Sequence, residues 1–82
     1  MSTDATIQAA DAAEARALCD TLSPRQREVL ILTAKGYSAK ELGQLVGLAQ
    51  KTVDAYRCDA FNKLGVCSSL LAAVIAAKAG LV

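Results

Sequence analysis

The chain has no histidine, no tryptophan and one proline among its 82 residues, and aromatics make up only 4%. Without histidine there is no imidazole base, and a zinc site would need all three cysteines as thiolates plus a further ligand. Cys19, Cys58 and Cys67 are odd in number and form no C-x-x-C pair. They read as small buried or half-buried thiols in a reducing cytosol. There is also no phosphate-cradling glycine loop and no acid pair that the spacing places in one cleft. These absences exclude an enzyme and imply neither metal nor cofactor. Long apolar runs are missing too. The longest uncharged stretch, Leu64 to Ala77, is 14 residues and contains Gly65 and two serines. It is too short and too interrupted to span a membrane, and no signal peptide is visible, so a cytoplasmic protein is expected.

What is present is alanine-rich and apolar. Hydrophobic residues make up 54% of the chain. Alanine favours helix but builds a thin core, and a domain this small is marginal unless it finds a partner. The net charge of +1 conceals a division. Residues 1–20 set Arg16 against Asp4, Asp11, Glu14 and Asp20, a net −3. Residues 21–82 carry eight cations against Glu28, Glu41, Asp54 and Asp59, a net +4. A basic body behind an acidic tail permits a polyanionic partner, and ordinary charge scatter is the plain alternative.

Helix signals follow one another along the chain. Ser2, Thr3 and Asp4 are candidate caps for a weak helix over Ala5–Cys19, whose only large apolar residues are Ile7 and Leu18. Ser23, Pro24 and Gln26 form an S-x-x-Q capping box with proline at the first helical position. Val29, Leu30, Leu32 and Thr33 then recur at helical spacing, and Gly36 ends the helix. Ser38 and Glu41 form a second box, followed by an apolar stripe of Leu42, Leu45 and Val46 and a stop at Gly47. Gly47-Leu48-Ala49 predicts a tight turn with one buried leucine. A longer helix then runs from Gln50 or Lys51 to Leu64, with Val53, Ala60 and Leu64 on its inner face and Gly65 closing it. A short helix, a tight turn and a longer helix make a helix-turn-helix. Ser68 or Ser69 caps a last helix, Leu70 to Ala79, which is apolar without a break through Ala77. One side must cover the core, and the other suits a subunit interface.

These residues resemble a known pattern. Leu22-Ser23-Pro24-Arg25-Gln26-Arg27-Glu28-Val29-Leu30, then Ala34-Lys35-Gly36-Tyr37-Ser38 and Lys40-Glu41-Leu42, are similar to the opening of LuxR-type (LuxR/FixJ/NarL, GerE-like) DNA-binding domains. Lys51-Thr52-Val53, Tyr56-Arg57, Phe61, Lys63-Leu64-Gly65-Val66 and Ala79-Gly80-Leu81 continue the match to residue 82. The resemblance implies an all-α, four-helix domain over residues 21–82, preceded by an acidic segment, residues 1–20, that is helical or disordered. It implies that the helix from Lys51 to Leu64 enters the major groove, with phosphate contacts from Lys40, Lys51 and Thr52. It also implies a homodimer through the last helix, using Leu70, Leu71, Val74, Ile75 and Lys78. The receiver or ligand-binding domain that usually accompanies such a domain cannot be formed by twenty residues, so the chain resembles the stand-alone members or a fragment.

At 100° per residue, the outward arc of the long helix holds Lys51, Asp54, Ala55, Cys58 and Asn62, with Asp59 at its edge. Arg57 falls nearer the inner side and must wrap round to reach DNA, or else pack its stem and pair with Glu28 or Glu41. Lys63 serves either DNA or structure. The face is poor in the long donors that commonly read guanine and adenine. Family members often carry basic or amide residues at the positions of Asp54, Cys58 and Asp59. Asp54 suits cytosine N4, and Ala55 suits a thymine methyl. Ala49 replaces the usual serine-like cap, and Ala60 a larger core residue.

The leading expectation is thus a transcription regulator binding double-stranded DNA as a homodimer, through Lys40, Lys51, Thr52, Asp54, Ala55, Arg57, Cys58 and Lys63. The alternative is a protein-binding helix-turn-helix module that contacts another regulator or RNA polymerase. A fragment resembling the fourth region of sigma factors shares the L-S-P-R opening but fits the later motifs less well.

Overall fold

The computed structural model describes residues 12–82, and all regular structure among them is helical. The helices are α1 (Ala12–Asp20), α2 (Pro24–Ala34), α3 (Ala39–Val46), α4 (Gln50–Leu64) and α5 (Ser69–Lys78). Of the helix expected over Ala5–Cys19, the part from Ala12 is present. Its caps Ser2, Thr3 and Asp4 and its first residues lie outside the described residues.

Local chemistry sets the boundaries. At α2, the Gln26 amide donates to Ser23 Oγ at 3.2 Å and the Ser23 amide to Gln26 Oε1 at 3.0 Å. At α3, the same exchange joins the Glu41 amide to Ser38 Oγ at 3.1 Å and the Ser38 amide to Glu41 Oε1 at 3.0 Å. Each box satisfies two donors that the first helical turn would otherwise leave open. Ser68 caps α5 by accepting from the Leu71 amide at 3.2 Å. The ends of α2–α5 share one device. An amide two residues past the last helical turn reaches back to a carbonyl five residues earlier, in the pairs Tyr37–Leu32, Leu48–Gly43, Val66–Phe61 and Leu81–Ala76. A glycine of positive φ precedes each of these apolar residues. That is a Schellman-type stop, in which the apolar residue folds back over the helix it terminates.

The core is in two parts. The larger holds Ala15, Cys19, Leu22, Leu30, Ala60, Leu64, Ala72, Ile75, Ala76 and Ala79, drawn from four of the helices and the segments beside them. The smaller holds Val29, Leu42 and Val53, rimmed by Leu32, Ala39, Val46, Leu48 and Tyr56. Helices α2 and α4 contribute to both. On α2, Val29 and Leu30 are adjacent in sequence and so point about 100° apart, one into each part. On α4, Val53, Ala60 and Leu64 share one face that runs along both. Through Ala15 and Cys19, α1 packs into the same core as the body that follows residue 20.

Several expectations change at this level. Leu45 is not on the inner stripe of α3 but 57% exposed, and the leucine of the turn, Leu48, is half-buried. Residue 45 lies only 60° round the helix from Leu42, but on the edge of α3 that the body leaves uncovered. Cys19 is buried as expected, whereas Cys58 and Cys67 are exposed. Ile75 is a core residue at 8% exposure. No single helix among the described residues is long and apolar enough to cross a membrane.

Candidate nucleic-acid interface

The turn between α3 and α4 is held by a close approach of backbone to backbone. A Cβ at Gly43 would lie 2.6 Å from the carbonyl oxygen of Leu48, closer than real Cβ atoms come. Glycine at 43 therefore lets the chain reverse tightly enough for Leu48 to reach the Val29–Leu42–Val53 cluster. This sets α4 across α3 with its underside buried and its other side open.

The exposed residues of α4 are Gln50, Lys51, Thr52, Asp54, Ala55, Cys58, Asp59, Asn62 and Lys63. On the helical wheel Lys51, Ala55, Cys58 and Asn62 form the outermost line. Two of these are small, so the helix backbone itself can approach a surface closely. Asn62 Nδ2 lies 3.9 Å from Cys58 Sγ. Alone among α2–α5, α4 has no side-chain cap: Ala49 occupies the N-cap with extended backbone and accepts nothing. The amides of Gln50, Lys51 and Thr52 thus have no partner within the helix. Lys51 stands beside them, exposed and in no ion pair with a described residue, and Lys40 is likewise exposed on α3. Oriented N–H groups and two exposed ammonium groups are the donor set a phosphate requires.

The other two cations of α4 are occupied. Arg57 Nη2 donates to Ser69 Oγ at 2.9 Å, its Nη1 lies 3.8 Å from Asp54 Oδ1, and its guanidinium stands 5.9 Å from the Phe61 ring centre. Its Nε is buried and unpartnered. The acid beside Arg57 is thus Asp54 rather than Glu28 or Glu41. Glu28 is bound by Arg25 at 2.7 Å, and Glu41 is engaged in the α3 cap. The bond from the Ser38 amide, and after it the nearby Ser38 hydroxyl, hold the Glu41 carboxyl below the ordinary glutamate range. Lys63 Nζ donates to the Thr21 carbonyl at 3.2 Å and to Gln26 Oε1 at 2.9 Å, tying the far end of α4 to the start of α2.

Lys51, Thr52, Asp54, Ala55 and Cys58 are thus exposed on the open side of α4 and Lys40 is exposed on α3, whereas Arg57 and Lys63 turn toward the protein. Sequence reasoning passed over Gln50. It is exposed at the first position of α4, and its amide, a group suited to adenine, was the available signal.

The last helix has an unexpected phase. Ala72, Ile75, Ala76 and Ala79 face inward, and α1 and α2 cover them. The opposite stripe is Leu70, Ala73, Val74 and Ala77, spaced i, i+3, i+4, i+7, of which Leu70, at 74%, and Ala77 are exposed and Ala73 and Val74 half-buried. Of the expected interface set, Leu70 and Val74 lie on this stripe, Leu71 and Lys78 flank it, and Ile75 points into the core.

The family model described as "Bacterial regulatory proteins, luxR family" matches residues 20–76. The chain belongs to this luxR family of bacterial regulatory proteins. The resemblance read from the motifs holds, and the family is one of regulators rather than of enzymes. The chain is 35% identical over 60 residues to the transcriptional activator protein AnoR of Acinetobacter nosocomialis, covering 73% of this chain and 25% of that protein. It is 42% identical over 52 residues to the transcriptional regulatory protein TdiR of Thauera aromatica, covering 63% and 23% respectively. With the oxygen regulatory protein NreC of Staphylococcus aureus it shares 43% identity over 45 residues, covering 55% and 21%. The chain thus spans about a quarter of the length of the curated relatives it matches. The luxR-family match begins at residue 20, so nearly all of α1 precedes it.

Proposed function

We propose that this luxR-family domain is a cytoplasmic transcription regulator that binds duplex DNA as a homodimer, with α4 in the major groove. The observation that carries this reading is the two-sidedness of α4. Val53, Ala60 and Leu64 are gripped by the body, while a continuous outer line from Lys51 to Asn62 is open and floored by small side chains. Lys40, Lys51, Thr52 and the uncapped amides at the start of α4 hold the phosphates on either side of the groove. Ala55 and Cys58 lie against base edges. The stripe of α5 opposite its core face pairs two copies, because Ala73 and Ala77 let two helices approach closely while Leu70 and Val74 supply the apolar contact. Two such copies present their reading helices to half-sites about one helical turn apart.

Titration of promoter fragments by fluorescence anisotropy, at low and moderate salt, tests this directly. Saturable binding of some fragments by a dimer is expected. A folded dimer that shifts no fragment even at low salt rejects the reading.

A second reading rests on the exposed carboxylates of Asp54 and Asp59 and on the solvent-facing Leu45. In it the same face meets a protein, either another regulator or RNA polymerase. A stable heterocomplex with RNA polymerase combined with absent duplex binding favours that reading. Duplex binding without such a complex removes it.

A further inference from the structure

Asp54 and Asp59 both stand on the open side of α4, where a carboxylate beside DNA phosphates is repelled. They are not equivalent. Asp59 is in no ion pair with a described cation, whereas Asp54 lies 3.8 Å from Arg57. That guanidinium is fixed from two further directions, by its 2.9 Å bond to Ser69 Oγ and by the Phe61 ring. Arg57 is not free to sweep into the groove, and its charge is spent beside one carboxylate.

We infer that Asp54 is a base-reading acceptor that selects a cytosine through its exocyclic N4 amine, and that Arg57, anchored on Ser69, is the residue that positions it. The inference rests on the DNA-binding reading above and deepens it. An ionised carboxylate accepts and never donates. In the major groove only cytosine N4 and adenine N6 offer N–H donors. Adenine sets the acceptor N7 beside its amine, which favours an amide with both functions and repels a bare carboxylate. Asp54 therefore selects against adenine as well as for cytosine. It is placed for this, one turn into the reading helix, where helix-turn-helix proteins contact base edges. The half-exposed carboxylate retains a free edge, because its contact with Arg57 is longer than a hydrogen bond and leaves its acceptor sites unfilled. Arg57 offsets the repulsion from flanking phosphates without occupying the groove. The chain of contacts ends at Ser69, the first residue of α5, so the aim of Asp54 is set across the α4–α5 junction.

The test is selection of bound sequences from a randomised duplex library by the full chain, by Asp54→Ala and by Ser69→Ala, each first shown folded by circular dichroism. Wild type is expected to select C·G at one position of each half-site by about tenfold over the other pairs. Asp54→Ala is expected to lose the preference at that position alone, keeping the others and binding unrelated duplex as well as wild type or better. Ser69→Ala is expected to weaken the same preference with the remaining positions unchanged, which a loss of general stability would not produce. Selection by Asp54→Ala of the same sequences as wild type overturns the assignment and leaves DNA binding standing. An unchanged selection by Ser69→Ala removes the positioning role of Arg57. If wild type enriches no sequence and retains no duplex at low salt, the DNA-binding reading falls first and this inference with it.

Discussion

Gly43 shows how much one hydrogen atom in place of a methyl group decides. Alanine there would gain helix propensity of about 1 kcal/mol, but its Cβ meets a backbone oxygen that cannot step aside. Gly43→Ala is therefore expected to destabilise the domain by about 1–3 kcal/mol, read as a lower urea midpoint with an unchanged slope. The cysteines differ as sharply. Cys58 and Cys67 should be open to a thiol reagent in the folded domain, and Cys19 only on opening of the fold. Burial pushes the Cys19 thiol up, against a smaller opposing pull from Arg27. A thiol whose folded pKa lies above its unfolded value supports the fold at neutral pH. That support fades as pH rises through the unfolded cysteine range, so stability should fall above about pH 9 and less so in Cys19→Ala. At this scale the sequence showed that Arg57 leans inward, because its wheel position is fixed by Val53. It did not show Ser69 as the partner, since that contact depends on how α5 sits against α4.

Among elements, the helix boundaries were the most readable feature, because capping boxes and glycine stops are local and need no tertiary context. The phase of α5 was not readable. A run that is apolar on every side carries no periodic signal, and only the packing of α1 and α2 against it chooses Ala72, Ile75, Ala76 and Ala79 as the inner face. Leu45 was misread for a related reason, since a two-turn helix has too few residues to fix its buried edge. The uncapped start of α4 gives a prediction with a sign. Ala49→Ser should stabilise the domain by about 0.5–1 kcal/mol, seen as a raised melting temperature. Ser38→Ala should cost about 0.5–2 kcal/mol. Glu41 adds a pH dependence to the α3 cap. Its folded pKa is lowered, so its contribution is present above the ordinary glutamate range and is lost as pH falls through the folded value. Fraying of α3 below about pH 4 should be detectable by hydrogen exchange and should vanish in Glu41→Gln.

For the whole molecule, the helix-turn-helix and the family were legible because the order of caps, stops and the T-V…K-L-G-V string survives in a single chain. Partner choice was less so, since the open face of α4 mixes Lys51 with Asp54 and Asp59. The proposed dimer predicts that Leu70→Lys gives a folded monomer by sedimentation, with duplex binding weakened at least tenfold. With Lys40 and Lys51 from each copy on phosphates, the salt slope of the dimer should be about −3 to −4. Lys51→Ala should flatten it while lowering affinity for all sequences alike.

The small Val29–Leu42–Val53 cluster has a consequence for motion. The short α3 rests mainly on these three side chains, whereas the helices that would join two copies rest on the larger cluster. Hydration should therefore invade the first before the second, and amides of α3 should exchange with deuterium sooner than those of α5. A duplex clamped between Lys40 and Lys51 would then act as an external strut, closing from outside a joint that the protein's own interior only lightly fastens.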